Sequence, residues 1–564
     1  MPPKGGGIWQ RLGLDRSRSP RCNLVPEAPQ VPPVPLVPTK GPQAVAWRQH
    51  CRDTFLHNTE TTVKLHLSIQ RATAAGALGS EDYAKAGNSG RAKKNLCRDF
   101  KRISTKGIDF PEPYIAKVPL GTGVGNPPEL VDYPFMLPHE VLAHLVAKRG
   151  MDVKHAGCMD TRDDQRLGDM KRKFCKDFKL DYDTCICLGF HGDGVPYTKS
   201  LKSASIEVFN WNLLNEFDSE RHLFATVPKD ITCACGCHGR HTIDAILDIF
   251  AWSMKVMLGG VHPLARHDGQ PLDPARLAWA GKPLGFTGGL FQARGDWAWY
   301  QQIFGFPAWN SKHICWRCKA TSCDTMPYWD FSEGATWRTS RYKPGAFFKA
   351  QRLAGSTVSP LFSCPGFTLD KVCIGVMHCV DLGVTQEVLG NIFSEYLEKG
   401  GLPRRSQKIR CETLWVKLKT WYKLVKPKSQ IQTLTVTKFK RGDGTAPYFK
   451  AKAAETRHLA PFGVLLAQEL YDWYQTDHAW HVLQCARALQ DFYKVLEDWS
   501  TGDIHGLCQA VCEEYSWLNT ETIALGKNVW RVKPKFHMFQ EMAQFQNLEL
   551  GNPRVFGSTK MRTL

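Results

Sequence analysis

The spacing of apolar residues changes character along the chain, and the changes outline its elements. Residues 184–190 form a continuous apolar, β-prone run that ends at His191-Gly192-Asp193-Gly194, whereas residues 205–214 mostly alternate apolar with polar. A third run, 221–227, closes at Pro228. Alternation marks strands buried on one face, and continuous apolar runs mark strands covered on both. Residues 242–258 instead repeat with a helical period, which puts Ile243, Ile246, Leu247, Phe250, Ser253 and Met254 on one face. A fourth β-prone run, 286–293, ends at Gly295-Asp296, and an aromatic helix is predicted over 297–304. Three strands, a helix, a strand and a helix make a small α/β unit, with an Asp at the end of its first and fourth strands.

On either side of this unit the pattern differs. Residues 1–45 interleave Pro20, Pro26, Pro32, Pro33, Pro35 and Pro38 with or after Arg11, Arg16, Arg18 and Arg21. Proline fixes φ and removes an amide donor, so an extended, disordered arm is expected there. Residues 46–180 read as a helical, basic N-terminal region; within it, Pro138 near the start and Gly150 past the end bound a helix over 135–150. Lys85, Arg91, Lys93, Lys94, Arg98, Lys101 and Arg102 crowd residues 80–106 among few large apolar side chains. Such a stretch is a solvated face suited to phosphates. The α/β core with its Cys-x-x-Cys spans 181–318. Helical patterns then dominate, over 385–399, 411–425, 453–476, 479–499, 503–518 and 533–545. No internal repeat of 20–50 residues is present, so 319–532 reads as a helical insertion and 533–564 as the last core element.

Composition narrows the class. The 564 residues carry 73 Lys+Arg against 54 Asp+Glu, a formal charge of +19, with 43% apolar and 23% charged residues. That balance describes a globular chain whose basic excess suits a polyanionic partner, nucleic acid first. No apolar run approaches the ~18–20 residues a membrane span requires, and no signal-peptide core follows Met1. Twenty cysteines without an export signal read as reduced thiols and metal ligands rather than as a disulfide scaffold.

Three groups of residues could carry chemistry. Asp193 lies between two glycines, which would let a cation or phosphate approach the backbone, and Asp296 holds the matching place on the fourth strand. Adjacent strands would bring the two carboxylates together, an arrangement suited to Mg²⁺ or Mn²⁺ and to phosphoryl chemistry. The same residues also fit turn aspartates that cap helices. Cys315-Trp316-Arg317-Cys318 is half of a tetrahedral Zn²⁺ site, with Cys323 nearby and His378 and His537 as candidate distant ligands. Glu541, four residues after His537, reads as a helix-surface residue. Cys233, Cys235, Cys237, His238 and His241 form a second dense cluster, open between a zinc-stabilised and a merely thiol-rich turn. No P-loop, dinucleotide glycine fingerprint, Gly-x-Ser-x-Gly elbow or His-Glu-x-x-His is present.

The order of a strand ending at Asp193-Gly194, further strands, a helix, Gly295-Asp296, Cys315-x-x-Cys318 and Met377-His378 with Leu382-Gly383 resembles the CACTA-type (En/Spm-like) cut-and-paste transposases. The similarity is one of motif order and covers about 181–556. The separation of Asp296 from Cys315 looks like that in the related recombinase that assembles antigen-receptor genes. The resemblance implies an RNase H-like core interrupted by a helical insertion, with Asp193 and Asp296 as the first two Mg²⁺-binding acids. It also implies structural zinc on Cys315, Cys318 and a late His, His537 before His378, with double-stranded DNA as partner and the nucleus as compartment. A homo-oligomer is compatible with it. The third acid of such families would fall near Gly557, in a basic stretch where no acid follows Glu549. The expectation is a transposase-like protein impaired in catalysis; the alternatives are a non-enzymatic, zinc-stabilised DNA-binding relic or a scaffold protein.

Overall fold

A computed structural model describes residues 50–51, 62–74, 80–86, 96, 99–100, 103, 110–159, 165–196, 205–215, 221–343, 345–353, 357–402, 406–439, 445–498 and 503–553. The expected arm over 1–45, the basic residues Arg91, Lys93, Lys94, Arg98, Lys101 and Arg102, and residues 554–564 with Gly557 lie outside the described residues. The chain divides into two compact units, Met1–Ile108 and Asp109–Leu564. In the first, α1 (Thr62–Ala74) and α2 (Glu81–Ala84) bury Leu65, Ile69 and Tyr83 in a cluster with Cys51 and Phe100.

The second unit opens on an antiparallel hairpin, β1 (Tyr114–Leu120) and β2 (Glu129–Phe135), in a stretch expected to be helical. Tyr114, Ala116, Val118 and Leu120 are its buried side chains. That alternation was hidden by Pro119 and Pro134, residues that sheets accept mainly at edges. The helix α3 (Pro138–Arg149) follows, ended by Gly150 at φ 67° as its pattern predicts. After α4 (Arg166–Phe178) comes a five-stranded mixed sheet: β3 (Cys185–Pro196), β4 (Ser205–Leu213), β5 (His222–Pro228), β6 (Thr287–Arg294) and β7 (Val372–Cys373). The order is β5-β4-β3-β6-β7, with β3, β4 and β5 antiparallel and β6 and β7 parallel to β3. Between β5 and β6, α5 (Arg240–Gly259) buries Ile243, Ile246, Leu247, Phe250 and Met254, and Phe250 packs 4.4 Å from the ring centre of Phe190. On the other face Phe174 of α4 packs on Phe291 with ring centres 4.8 Å apart. The class is mixed α/β with a long helical remainder.

That remainder follows α6 (Trp297–Phe304) and β7 and comprises α7 (Thr385–Lys399), α8 (Gln407–Val425), α9 (Ala453–Tyr474), α10 (Asp477–Asp498), α11 (Ile504–Ala524) and α12 (Pro534–Gln540). The helix α7 is enclosed by its neighbours, so even its polar side chains are buried and must be paired. Asn391 accepts the Trp530 backbone N–H at 2.9 Å, and Glu395 faces His478 at 2.9 Å. No helix among the described residues is long and apolar enough to cross a membrane.

The first core strand is longer than its apolar run: it continues through Asp193 to Pro196. Its glycines have a packing cause. A Cβ on Gly192 would lie 2.0 Å from the Trp299 indole nitrogen, one on Gly295 would lie 2.3 Å from the Trp299 ring, and one on Gly194 would lie 2.9 Å from the Lys229 ammonium. The Trp299 indole thus covers both strand ends, and this corrects the reading of these glycines as openings for a cation. Overpacking of this kind costs about 1–3 kcal/mol, so Gly192→Ala is expected to lower the stability of the full chain to denaturant by that amount. In a Trp299→Leu background the same change is expected to cost clearly less; strictly additive costs would contradict the contact.

Candidate functional site

Strands β3 and β6 run parallel, and their Cα partners include His191↔Arg294. Asp193 and Asp296 each lie two residues further on, so neighbouring strand ends present one carboxylate each. Asp193 remains in β3, opposite Val208 of β4. Asp296 leaves its strand and becomes the N-cap of α6, accepting the Trp299 N–H at 2.6 Å. The Tyr300 hydroxyl fixes this turn: it accepts the Gly295 N–H at 2.9 Å and donates to the Cys373 carbonyl on β7. Asp296 therefore caps a helix at the same place where it neighbours the end of β3.

Both carboxylates are half-buried. Burial raises the Asp193 carboxyl above the usual carboxylate range; His378 opposes this and Asp296 adds to it. His378 is itself lowered by burial, against the pull of Asp296 and Asp193. This corrects one expected assignment: His378 stands with the acids and is not among the ligand groups gathered round Cys315 and Cys318. It is carried by a π-helical turn, Met377–Val384, a rare conformation often found at functional sites. Asp381 anchors that turn, fully buried and bound by the Arg457 guanidinium and, at 2.7 Å, by the Tyr493 hydroxyl. Positive charge from Arg221 acts on Asp193 and from Lys535 on Asp296. Buried His191 is pushed down to about 2 by desolvation and by Arg221 and Arg294, so it stays neutral beside the pair. Carboxylates flanked by cationic side chains suit a hard cation together with a phosphate.

The thiol site is separate. Cys315 and Cys318 meet His537 of α12 and Glu541 at the start of the π-helical segment Glu541–Gln546, and all four are buried. Cys318 Sγ lies 3.3 Å from His537 Nε2, Glu541 Oε1 lies 3.9 Å from Cys315 Sγ, and it lies 3.8 Å from His537 Nε2. Zinc with bonds of about 2.0–2.3 Å to such ligands has ligand–ligand edges of roughly 3.3–3.8 Å, so the four atoms fit a tetrahedral centre. Two thiolates and a carboxylate leave such a centre negative, and Arg341 answers this by binding the other Glu541 oxygen at 2.9 Å. Arg317, buried beside the thiols, adds a second positive charge and reaches Glu549 at 3.4 Å. Trp337 packs edge-on against the His537 ring at 4.5 Å. Cys323 lies outside the group.

Glu541 is thus a correction: it is a fully buried member of the group, not a surface residue. The His537–Glu541 spacing of i,i+4 carried the signal, since it puts both side chains on one helix face. The basic side chains Arg317 and Arg341 and the Trp299 cover left no such periodic trace. Cys233, Cys235, Cys237 and His241 are also gathered, without His238. No protein-family model and no curated protein matches the chain.

Two outcomes are expected. Cys315→Ser and His537→Ala should each remove one equivalent of zinc and weaken the fold, because structural zinc contributes on the order of 10 kcal/mol, whereas His378→Ala should keep the zinc. Elemental analysis of the purified variants decides this, and zinc loss in His378→Ala would return that residue to the thiol site. Mn²⁺ affinity at the acids should be full above the raised Asp193 pKa and fall as pH drops through it. That fall should begin at higher pH than for an ordinary aspartate and disappear in Asp193→Asn, measured by calorimetric titration. A profile unchanged in Asp193→Asn would exclude Asp193 from the cation site.

Proposed function

We propose that the chain is a DNA transposase-like protein built on an RNase H-like core, acting on the phosphodiesters of double-stranded DNA in the nucleus. The observation that carries this reading is the adjacency of Asp193 and Asp296 at the ends of paired parallel strands. The sheet supports it, since three antiparallel strands followed by two parallel ones, in the order β5-β4-β3-β6-β7, are what an RNase H-like core requires.

In this reading Asp193 and Asp296 would hold Mg²⁺ or Mn²⁺ near the C-terminal ends of the adjacent inner strands β3 and β6. A bound divalent cation supplies Lewis-acid activation of water or a 3′-hydroxyl and stabilises charge on the leaving oxygen. The side chains do the rest. Lys535 and Arg221 attract the phosphate, and the half-buried His378, kept neutral at neutral pH by its lowered pKa, can accept a proton from the attacking oxygen. Tyr300 and the Trp299 N–H hold Asp296 in place. Structural zinc on Cys315, Cys318, His537 and Glu541 holds the late helices on the core.

A second reading, a zinc-stabilised DNA-binding protein without catalysis, is favoured by one feature. Glu207, the further acid acting on both aspartates, is bound to Lys229 at 2.9 Å and so is already neutralised. Loss of one preorganised electrostatic group costs roughly 10²–10³ in rate.

The purified chain should bind duplex DNA with a log–log salt slope of about −0.9 per phosphate neutralised. Any Mn²⁺-dependent nicking should vanish in Asp193→Asn and in Asp296→Asn while binding persists. Nicking that survives both substitutions would refute the assignment of the acids; absence of binding at low salt would refute DNA as partner; binding without nicking would select the second reading.

A further inference from the structure

We propose that Cys233, Cys235, Cys237 and His241 form a second structural zinc centre, distinct from the one at Cys315 and Cys318 and independent of the function proposed above. The four ligand atoms lie within 4.8 Å of one another. Cys233 Sγ is 3.3 Å from Cys235 Sγ, and His241 Nδ1 is 3.4 Å from each of these two sulfurs. Those separations lie at the short end of the roughly 3.3–3.8 Å edges of a tetrahedron with zinc–ligand bonds of about 2.0–2.3 Å.

The chain between β5 and α5 is shaped to produce this convergence. Cys233, Cys235 and Cys237 lie in an irregular, bent segment, where the chain folds back through residues of positive φ, Gly236 at 105°, His238 at 52° and Gly239 at 81°, so that alternate thiols converge. Gly239 is the N-cap of α5, so His241 enters from the first turn of that helix. The left-handed conformation of His238 costs energy for a residue with a Cβ and turns its imidazole out of the group, which leaves four ligands and not five. Three thiolates and one imidazole select zinc over hard cations, and four protein ligands with no open position make the centre structural rather than catalytic. The resulting net negative charge faces the N-terminus of a twenty-residue helix, where the helix dipole favours it.

The centre would fasten three segments of the core. The Cys233 N–H donates to Thr242 Oγ1 at 2.9 Å, and that hydroxyl donates on to the Pro119 carbonyl at the end of β1. The loop after β1 is held by Gly121 N–H to the Ile231 carbonyl at 2.9 Å and by Gly125 N–H to the Ala234 carbonyl at 2.8 Å. Lys229, four residues before Cys233, carries the ion pair to Glu207. One ion would therefore fix the α5 N-terminus, the β1–β2 loop and the segment beside the sheet edge.

Elemental analysis of the reduced, full-length chain should give two zinc ions per chain, falling to one in Cys235→Ser/Cys237→Ser. Cys315→Ser/Cys318→Ser should also leave one, and the four substitutions together none. His241→Cys should keep the second ion and His241→Ala lose it, a contrast that mere disruption of a turn would not produce. Should the serine variants fail to fold, stepwise titration of the native chain with a mercurial thiol reagent should release two zinc ions. Release of a single ion, zinc content insensitive to Cys235 and Cys237, or a disulfide within the cluster in the native chain would each overturn the proposal.

Discussion

Two parallel strands cannot be joined by a tight turn, so pairing β3 with β6 forces the chain through a long crossover before it returns to the sheet. That crossover contains β4, β5 and α5, and its length lets the ladder reach His191↔Arg294. The pairing then decides where the next residues fall. Asp193 and Asp296 are neighbours because the β3–β6 ladder, which shifts by one residue at Leu188/Gly189, ends at His191↔Arg294, not because anything in their own sequences brings them together. The Trp299 indole covers the two preceding glycines, and Tyr300 bonds β6's end to β7, so one short helix fixes the geometry of both acids.

A second constraint closes the molecule over distance. Cys315 and Cys318 meet His537 and Glu541 across more than two hundred intervening residues. A buried group of two thiols, an imidazole and a carboxylate is costly to desolvate without a partner, since buried charges need pairing or a metal. Burial raises the Glu541 carboxyl accordingly, and the thiol of Cys315 pushes it further in the same direction. A tetrahedral ion bound there would turn that cost into a tether, with Arg341 and Arg317 placed to balance the remaining charge. The helix that carries His537 also bears on the acid site, since it supplies Lys535, whose ammonium bonds the Leu382 carbonyl within the His378 turn.

Much of the core was legible because its signals are local. Period-2 and period-3.6 patterns located β3 to β6, α5 and α6, and Gly150 marked the end of α3. The Asp-Gly and Gly-Asp pairs pointed to Asp193 and Asp296, although the reason for the glycines was an indole and an ammonium rather than a ligand. What escaped was non-local. Hairpin β1–β2 carries prolines that disguise its alternation, and β7 is two residues long, too short for any pattern. His378 could not be divided between thiols and acids from spacing, because a π-helical turn and the Arg457–Asp381 pair determine where it stands. Glu541 was misjudged because an acid four residues past a histidine looks like a solvated helix face until the fold buries it.

Whether the two aspartates share one cation, as proposed, can be read out by iron-directed cleavage of the chain. Fe²⁺ bound in place of Mg²⁺, with ascorbate and peroxide, generates hydroxyl radicals that cut the backbone within a few ångströms of the ion. Paired cuts near Asp193 and near Asp296, competed by Mg²⁺ and lost together in either Asp→Asn variant, are the predicted result. Cuts at only one of the two segments, or paired cuts that persist in both variants, would contradict it.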